Sequence, residues 1–404
     1  MGLSIPLLKH LLGAKGYGNF SIWFNGMLIA AAILSGWITQ SVLRLYNTSE
    51  HKRSFTRQML RINMATQIIV CIPILLIVWW LSGDIILAIM FTTALFVVSF
   101  QLPIMAVSQS GFLSKKNIYS EIIRATTYIS IALLLLYFTQ LYYLYTLFVA
   151  IIFSYLFSVL YLRRQINFSE SSIIENEEGG IYAKSLAKQF LQYGAPLSLW
   201  FVFSYNATYI DKLFVIKNFG MEAQGNYQAI FDLLSRTLMV VISPIVTSLF
   251  PLLTLAYKRG EVVAIKQLIR KIILIELVSY CIVSLLYWWF GADLVFWLLK
   301  TEHTNINKWI GFWVITGTFI WLIAVVFHKK FELKMQSWLL LLVIAFAFLI
   351  QLVLYLFLQD KVGLLLYPVC YTVSGFVYIG VLLVFDYLSH INKRKQPFPM
   401  NDKQ

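Results

Sequence analysis

Apolar segments long enough to cross a lipid bilayer recur along the whole of this chain. Hydrophobic residues make up 60% of the sequence and charged residues only 12%, and the mean hydropathy is +0.76. A membrane-spanning helix needs about 20 predominantly apolar residues. Windows of about that length predict spans at 19–43, 62–82, 85–111, 118–139, 142–162, 192–215, 225–250, 269–290, 309–328, 336–358 and 363–388. The sequence therefore predicts an all-α integral membrane protein with eleven spans.

The first residues leave the number of spans open. The stretch 1–13, MGLSIPLLKHLLG, is apolar but too short to cross a bilayer by itself. We expect either a short first helix, which would bring the number of spans to twelve, or a chain that lacks an upstream half-helix.

Basic residues concentrate in every second loop. Most of the 32 Lys and Arg residues follow the first, third, fifth, seventh, ninth and eleventh predicted spans. The positive-inside rule places these loops, and with them the C-terminus, in the cytoplasm. The formal net charge of +14 is thus explained by membrane topology and does not indicate a nucleic-acid partner.

The chain resembles itself at a shift of 207 residues. LLGAKGYGNFSIWF aligns with NFGMEAQGNYQAIF, so that Gly13 meets Gly220 and Gly18 meets Gly225. Further on, WWLSGDII aligns with WWFGADLV at a shift of 208 to 209. Because the matching segments enter the membrane from the same side, we predict two pseudo-symmetric lobes built as parallel repeats. The predicted parts are an N-terminal lobe (1–165), a cytoplasmic linker (166–189), a C-terminal lobe (190–390) and a basic cytoplasmic tail (391–404), with a shared cavity between the lobes.

One predicted span, within the stretch 225–253, carries Asp232 and Arg236. At about 1.5 Å per residue, Arg236 lies about 16 Å from the start of that stretch, near the middle of a hydrocarbon layer about 30 Å thick. The helix face that holds both charges also holds Gln228, Ser243 and Thr247. The two charges either neutralise each other inside a helix bundle or line a polar pathway.

Further charges lie at other depths. Cations spread over the depth of a cavity suit an anionic substrate such as a diphosphate. The candidate substrate-binding or translocation residues are Arg236, Asp232, Arg44, Arg124 and Lys212, and the candidate coupling-ion residues are Glu276 and Asp211. For Arg44 and Arg124 the alternative is snorkelling to the interface, and Arg124 is spaced to pair with Glu121. For Glu276 the alternative is a satisfied buried carboxyl.

No residue spacing indicates a catalytic, metal or cofactor site. The cysteines, Cys71, Cys281 and Cys370, lie inside apolar spans and are not placed for a disulfide or metal motif. Nucleophile, zinc and phosphate-binding motifs are also missing from the sequence. We therefore predict a protein that is not an enzyme and that holds no cofactor and no metal.

Several motifs carry a resemblance to a known family. LLGAKGYGNFS after an apolar helix, SVLRLY at the end of the next, QYGAPLSL at the start of the second half and YIDKLFVIKNFGMEAQGNYQAIFDLLSRTL after it are similar to the polysaccharide-unit flippases. These are the Wzx-type O-antigen transporters of the multidrug/oligosaccharidyl-lipid/polysaccharide (MOP) superfamily. The resemblance covers essentially the whole chain through loose patterns, with Asp211-Lys212 in place of the family's frequent Asp-Arg. It departs at the start, where we expect part of the usual first helix to be absent.

The resemblance implies a V-shaped, MOP/MATE-like multi-pass protein of the bacterial inner membrane. Such a protein turns an undecaprenyl-diphosphate-linked oligosaccharide towards the periplasm for O-antigen, capsule or exopolysaccharide biosynthesis. The implied partners are this lipid-linked oligosaccharide, the bilayer and the polysaccharide polymerase machinery. The implied roles are attraction of the diphosphate by Arg236, Arg44 and Arg124, and charge balance or ion coupling by Asp232, Asp211 or Glu276.

Three other functions stay open. A MATE-like cation-coupled drug exporter would be expected to have an acidic, aromatic cavity. A membrane polysaccharide polymerase or ligase would be expected to carry a large outer loop with paired arginines, whereas the outer loops here are short. A scaffold protein would not need a charged seam. The cationic residues and the short loops favour the flippase.

Overall fold

The protein is helical throughout the part of the chain that its computed structural model describes, which is residues 4–111, 113–138, 142–165, 178–334 and 336–395. The helices are α1 (Ser4–Leu45), α2 (Lys52–Ser82), α3 (Ile85–Ser110), α4 (Ser114–Phe138), α5 (Tyr143–Gln165), α6 (Glu178–Lys258), α7 (Val262–Leu286), α8 (Ala292–Leu299), α9 (Asn305–Leu333), α10 (Ser337–Val362) and α11 (Leu366–Lys395). A π-helical turn, Tyr287–Gly291, joins α7 to α8. The prediction of an all-α membrane protein is confirmed.

Within these residues, nine helical stretches are long and apolar enough to cross a membrane. They match nine of the predicted spans. The other two predicted spans, 192–215 and 225–250, both lie in α6, which bends at Gly220. The short apolar start of the chain is helical from Ser4 and joins the first span through a bend at Gly13.

The two bends have the same backbone conformation. Gly13 has φ 69° and ψ 172°, and Gly220 has φ 83° and ψ 172°. Glycine reaches these angles readily because it has no Cβ, whereas other residues are strained there. The sequence repeat aligned these two glycines, and the shared conformation shows that they play the same structural role.

Just after each bend, α1 and α6 cross at a pair of glycines. A Cβ on Gly225 would overlap the carbonyl oxygen of Ala14, and a Cβ on Gly18 would lie 3.2 Å from the Cα of Gly225 and 3.0 Å from the carbonyl oxygen of Met221. The sequence repeat matches Ala14 with Met221, so the crossing is itself pseudo-symmetric. Small residues permit such a close approach of helix backbones in membranes.

Further along, α1 packs closely against the first segment of α6. A Cβ on Gly194 would overlap the carbonyl oxygen of Trp37. The Ser198 hydroxyl donates a hydrogen bond of 2.5 Å to the carbonyl oxygen of Ala32. Both α6 residues belong to the motif QYGAPLSL, so the small residues of this motif serve helix packing.

The remaining helices of the two repeats pack in the same pattern. α3 contacts α2 and α5, and α5 contacts α4; correspondingly, α9 contacts α7 and α11, and α11 contacts α10. Each position from 67 to 81 of α2 shares its class, buried, half-buried or exposed, with the position 209 residues later. The predicted parallel repeat is therefore present in packing and in register.

The chain divides into two compact units, Met1–Leu233 with Leu298–Thr301, and Leu234–Trp297 with Glu302–Gln404. The division falls inside α6. The predicted lobe limits, 1–165 and 190–390, and the predicted linker and tail remain predictions. The first half of the linker, 166–177, lies outside the described residues, as does most of the tail.

A tight turn between α2 and α3 is fixed by a carboxylate. Oδ1 of Asp84 accepts hydrogen bonds from the backbone N–H groups of Ile86 and Leu87, at 2.9 and 3.1 Å, and Oδ2 accepts one from the Tyr145 hydroxyl. The bond from Tyr145, together with those from the backbone, lowers the pKa of Asp84. Because the pKa is lowered on folding, this carboxylate stabilises the fold above its ordinary pKa, and the contribution is lost as the pH falls through the lowered value.

The glycine crossing gives a direct test of the packing. We expect Gly225→Ala to destabilise the protein by about 1–3 kcal/mol, because the new methyl group meets a backbone carbonyl that cannot rotate away. The measurement is the thermal unfolding midpoint of the detergent-solubilised protein. Gly380→Ala is the matched control, since a Cβ there meets no atom within 4 Å. Equal midpoints for the two variants would contradict the proposed close crossing.

Candidate functional site

Buried polar side chains gather beside the glycine crossing. We call them the α1/α6 polar cluster; its members are Tyr17, Ser21, Asp211, Lys212, Gln224, Tyr227 and Asp232, and all are buried. Hydrogen bonds between described side chains connect six of them in pairs. The Tyr17 hydroxyl donates to Asp232 at 2.7 Å.

The other two bonds bring in both segments of α6. The Gln224 side-chain amide donates to the Ser21 hydroxyl at 3.1 Å, and the Tyr227 hydroxyl donates to Asp211 at 3.3 Å. Asp211 precedes the bend at Gly220, and Tyr227 follows it, so the cluster depends on the chain reversal at that glycine.

Asp211 and Lys212 are almost completely inaccessible, with exposed fractions of 1% and 0%. Both lie in α6, inside a predicted span. Ionisable residues are costly in the membrane interior, and where they occur they are commonly functional. The predicted coupling role of Asp211 and the predicted substrate role of Lys212 remain predictions, now with a defined place in the fold.

The two candidate arginines of the first unit each lie over a tyrosine ring. The guanidinium carbon of Arg44 is 5.1 Å from the ring centroid of Tyr193, and that of Arg124 is 5.0 Å from that of Tyr155. Arg124 also forms an ion pair with Glu121, so the expected pairing is confirmed. Arg124 is thus neutralised within its own helix, and the predicted substrate roles of both arginines remain predictions.

The polar residues of the predicted α6 face are buried or half-buried where they are described. Gln228 and Asp232 are 2% and 5% exposed and Arg236 is half-buried, whereas Met239, seven residues after Asp232 and so on the same face, is 42% exposed. The side chains of Ser243 and Thr247 lie outside the described residues. On the opposite side Ile230 and Leu238 are buried as well, so the expectation that one side of this helix faces protein and the other faces lipid does not hold for these residues.

Glu276 lies in α7 and is 1% exposed. Neither of its carboxyl oxygens has a hydrogen-bond partner in the described part of the chain. The alternative that Glu276 is a satisfied buried carboxyl therefore has no support among the described residues. Its predicted role as a coupling site remains a prediction.

Sequence reasoning missed a buried network at the end of α9. Nε2 of His328 lies 3.1 Å from Oε1 of Glu332, the Lys329 ammonium donates to both oxygens of Glu332 at 2.9 and 2.8 Å, and the Tyr378 hydroxyl lies 3.3 Å from Nδ1 of His328. The spacing of three and four residues within FHKKFEL is the signal that would have indicated it.

Among the described residues, no group of three or more His, Cys, Asp or Glu side chains is placed to hold a metal ion. The chemistry that the arrangement supports is therefore ion pairing, hydrogen bonding and proton exchange by buried charged side chains.

Solved structures of transport proteins share this fold. An inward-facing multidrug resistance MATE family transporter of the MOP superfamily matches 98% of this chain and 94% of its own, with a TM-score of 0.70 and 15% identity. A MATE transporter from Vibrio cholerae matches with a TM-score of 0.76 and 11% identity, covering 97% of this chain and 93% of its own. A MOP superfamily transporter from Pyrococcus furiosus, described as having a binding pocket of reversed polarity, matches 98% of this chain and 92% of its own, with a TM-score of 0.70 and 15% identity.

No family sequence model matches the chain, and no curated protein matches it by sequence. At identities this low the structural likeness shows the fold alone. The chain has the fold of the MATE transporters of the MOP superfamily, which confirms the predicted fold class.

The bond between Tyr17 and Asp232 can be tested by removing the donor. We expect Tyr17→Phe to lower the free energy of unfolding by about 1–3 kcal/mol, because a buried acceptor loses its hydrogen bond. Combining it with Asp232→Ala in a double-mutant cycle should give a coupling energy of about 0.5–3 kcal/mol. Unfolding in detergent is the measurement, with Tyr161→Phe as the control. Additive effects would show that the two side chains do not interact.

Proposed function

We propose that this chain is a membrane transporter that moves a lipid-diphosphate-linked oligosaccharide across the bacterial inner membrane. The observation that carries the proposal is the set of buried charges, Asp211, Lys212 and Asp232, inside membrane helices of the MOP fold. A merely structural bundle has no need of such costly groups at this depth. The proposal involves no covalent step.

Arg44 supports a negatively charged substrate. The guanidinium carbon of Arg44 lies 5.1 Å from the ring centroid of Tyr193, a distance at which the ring attracts the cation, and the N–H groups of a guanidinium that bind phosphate oxygens point outward in its plane. A guanidinium held in this way is suited to bidentate binding of a phosphate. Arg44 lies in the last turn of α1, next to the basic loop that we predict to be cytoplasmic, where the diphosphate of an incoming substrate would first arrive.

The comparisons support a transporter and leave its substrate open. The Pyrococcus furiosus transporter is described as having a binding pocket of reversed polarity, which suggests a different function for that protein. That description supports the idea that the fold serves substrates of different charge. The residues of each chain then decide the substrate, and here the candidate residues are mostly cationic.

The proposal also includes the orientation of the chain in the membrane and the destination of its substrate. The alternation of basic loops supports a cytoplasmic C-terminus, and the substrate would be delivered to the polysaccharide polymerase machinery on the periplasmic side. The product of transport would then enter O-antigen, capsule or exopolysaccharide biosynthesis.

A second candidate function is a cation-coupled drug exporter. The observation that favours it is the presence of buried carboxyl groups at Asp211, Asp232 and Glu276, because carboxylates suit cationic substrates and ions. An exporter of cationic drugs would have no role for Arg44, which lies over the Tyr193 ring.

Substitution of Arg44 separates the two candidates. We expect Arg44→Ala to reduce translocation about tenfold or more, because hydrogen bonds to a charged group contribute about 1.5–3 kcal/mol. Arg44→Lys keeps the charge but loses the planar fork, and it should restore only part of the rate. The measurement is the fraction of lipid-linked oligosaccharide that a probe restricted to the periplasmic leaflet can reach.

The exposed Arg57 provides the control, and Arg57→Ala should behave as the native chain. Arg236→Ala should also abolish export while the protein stays in the membrane. Normal sidedness of the lipid-linked oligosaccharide in cells that lack the chain would refute the flippase proposal, and loss of resistance to cationic drugs in those cells would favour the exporter.

A further inference from the structure

Glu276 is a buried carboxyl group without a hydrogen-bond partner in the described residues. Leaving a charged carboxylate in this condition is far more costly than leaving a neutral polar group, because the charge loses its hydration and gains nothing in return. The arrangement therefore favours the neutral, protonated carboxyl group.

The repeat supplies a neutral counterpart for this residue. Position 276 corresponds to position 67, at the shift of 209 residues over which the burial pattern of the two helices agrees. Gln67 is 0% exposed, and neither polar atom of its side chain has a hydrogen-bond partner in the described residues. Glutamine has nearly the same shape as a protonated glutamate, so a protonated Glu276 would match its counterpart in shape and in charge.

The surroundings of Glu276 on α9 contain no ionisable side chain. The Tyr280 hydroxyl lies 3.2 Å from that of Thr316, and the Tyr287 hydroxyl donates to the carbonyl oxygen of Lys308 at 3.0 Å. These two contacts show that α7 and α9 run antiparallel, and they place Glu276 level with Ile320. Between residues 309 and 327 the sequence of α9 has no acidic, basic or histidine residue.

The charged residues of α6 in the second unit are Arg236 and Lys258. Leu234 of α6 lies 3.2 Å from the position of a Cβ on Gly311 of α9, and Gly311 is nine residues before Ile320. No acidic or basic residue follows Arg236 until Lys258. On α7 itself the closest charged side chains along the helix are the exposed Arg270 and Lys271.

We propose that Glu276 is a proton-binding site, which holds one proton while α7 is packed as described and releases it when this face of α7 becomes hydrated. The step is the dissociation of the carboxyl O–H bond into a carboxylate and a proton. A metal cation is a poorer occupant, because hard cations take six or more oxygen ligands and the described residues supply no such group here. The use of this proton to drive transport rests on the proposed function.

Infrared difference spectroscopy of the full-length protein in lipid vesicles tests the site directly. At neutral pH we expect the carbonyl band of a protonated carboxylic acid, and we expect Glu276→Gln to lose that band. Glu302→Gln, at an exposed glutamate of the same unit, should keep it. Glutamine at 276 reproduces the side chain found at 67, so this variant is expected to fold.

The counterpart offers a gain-of-signal test. Gln67→Glu should add a second protonated carboxyl band, because the new glutamate enters an equally buried position. An unchanged spectrum for Glu276→Gln would overturn the proposal, since Glu276 would then be ionised in the packed state. A band that disappears from the native protein on adding sodium ions would also overturn it, by identifying a metal cation as the occupant.

Transport separates this inference from the proposed function. With a pH gradient across the vesicles, oligosaccharide translocation by the native chain should accelerate, and the acceleration should be lost in Glu276→Gln. If Glu276→Gln loses the protonated carboxyl band but the native chain moves no lipid-linked oligosaccharide, the proton site stands and the proposed function fails. If translocation responds to the gradient equally in both chains, Glu276 does not couple the proton to transport and that part of the proposal fails.

Discussion

The backbones of α1 and α6 approach each other closely at Gly18 and Gly225, and the α1/α6 polar cluster depends on this contact. Inside a bilayer, apolar surfaces gain little by turning from lipid to protein, so close packing and hydrogen bonds hold helices together. A side chain at either glycine would separate the helices. The bonds from Tyr17 to Asp232 and from Gln224 to Ser21 would then be out of reach.

Much of the fold could be predicted from the sequence, because hydrophobic length and glycine placement are local signals. The spans follow from runs of apolar residues, and the shift of 207 residues already aligned Gly13 with Gly220 before their shared conformation was known. Gly18, Gly194, Ser198 and Gly225 of the family-like motifs are explained by helix packing. The π-helical turn before α8 had no such signal, since it depends on how the helix ends are packed.

The candidate site was less predictable, because its partners are far apart in the chain. Glu121 and Arg124 are three residues apart and were expected to pair, whereas Tyr17 and Asp232 come from different repeats. His328 and Glu332 have the spacing of a helical pair, but this spacing alone does not indicate that both side chains are buried. That Glu276 lacks a partner is visible only when the neighbouring helices are in place.

The equivalence of positions 67 and 276 bears on how such a chain can diverge. Glutamine and glutamate codons differ by a single base, and the two side chains fill nearly the same volume. One point mutation in either half can therefore create or remove an ionisable group without disturbing the packing. With the proton site proposed at Glu276, one mutation would remove the site, and a second, at position 67, would place it in the other half, without changing the contacts that hold the helices together.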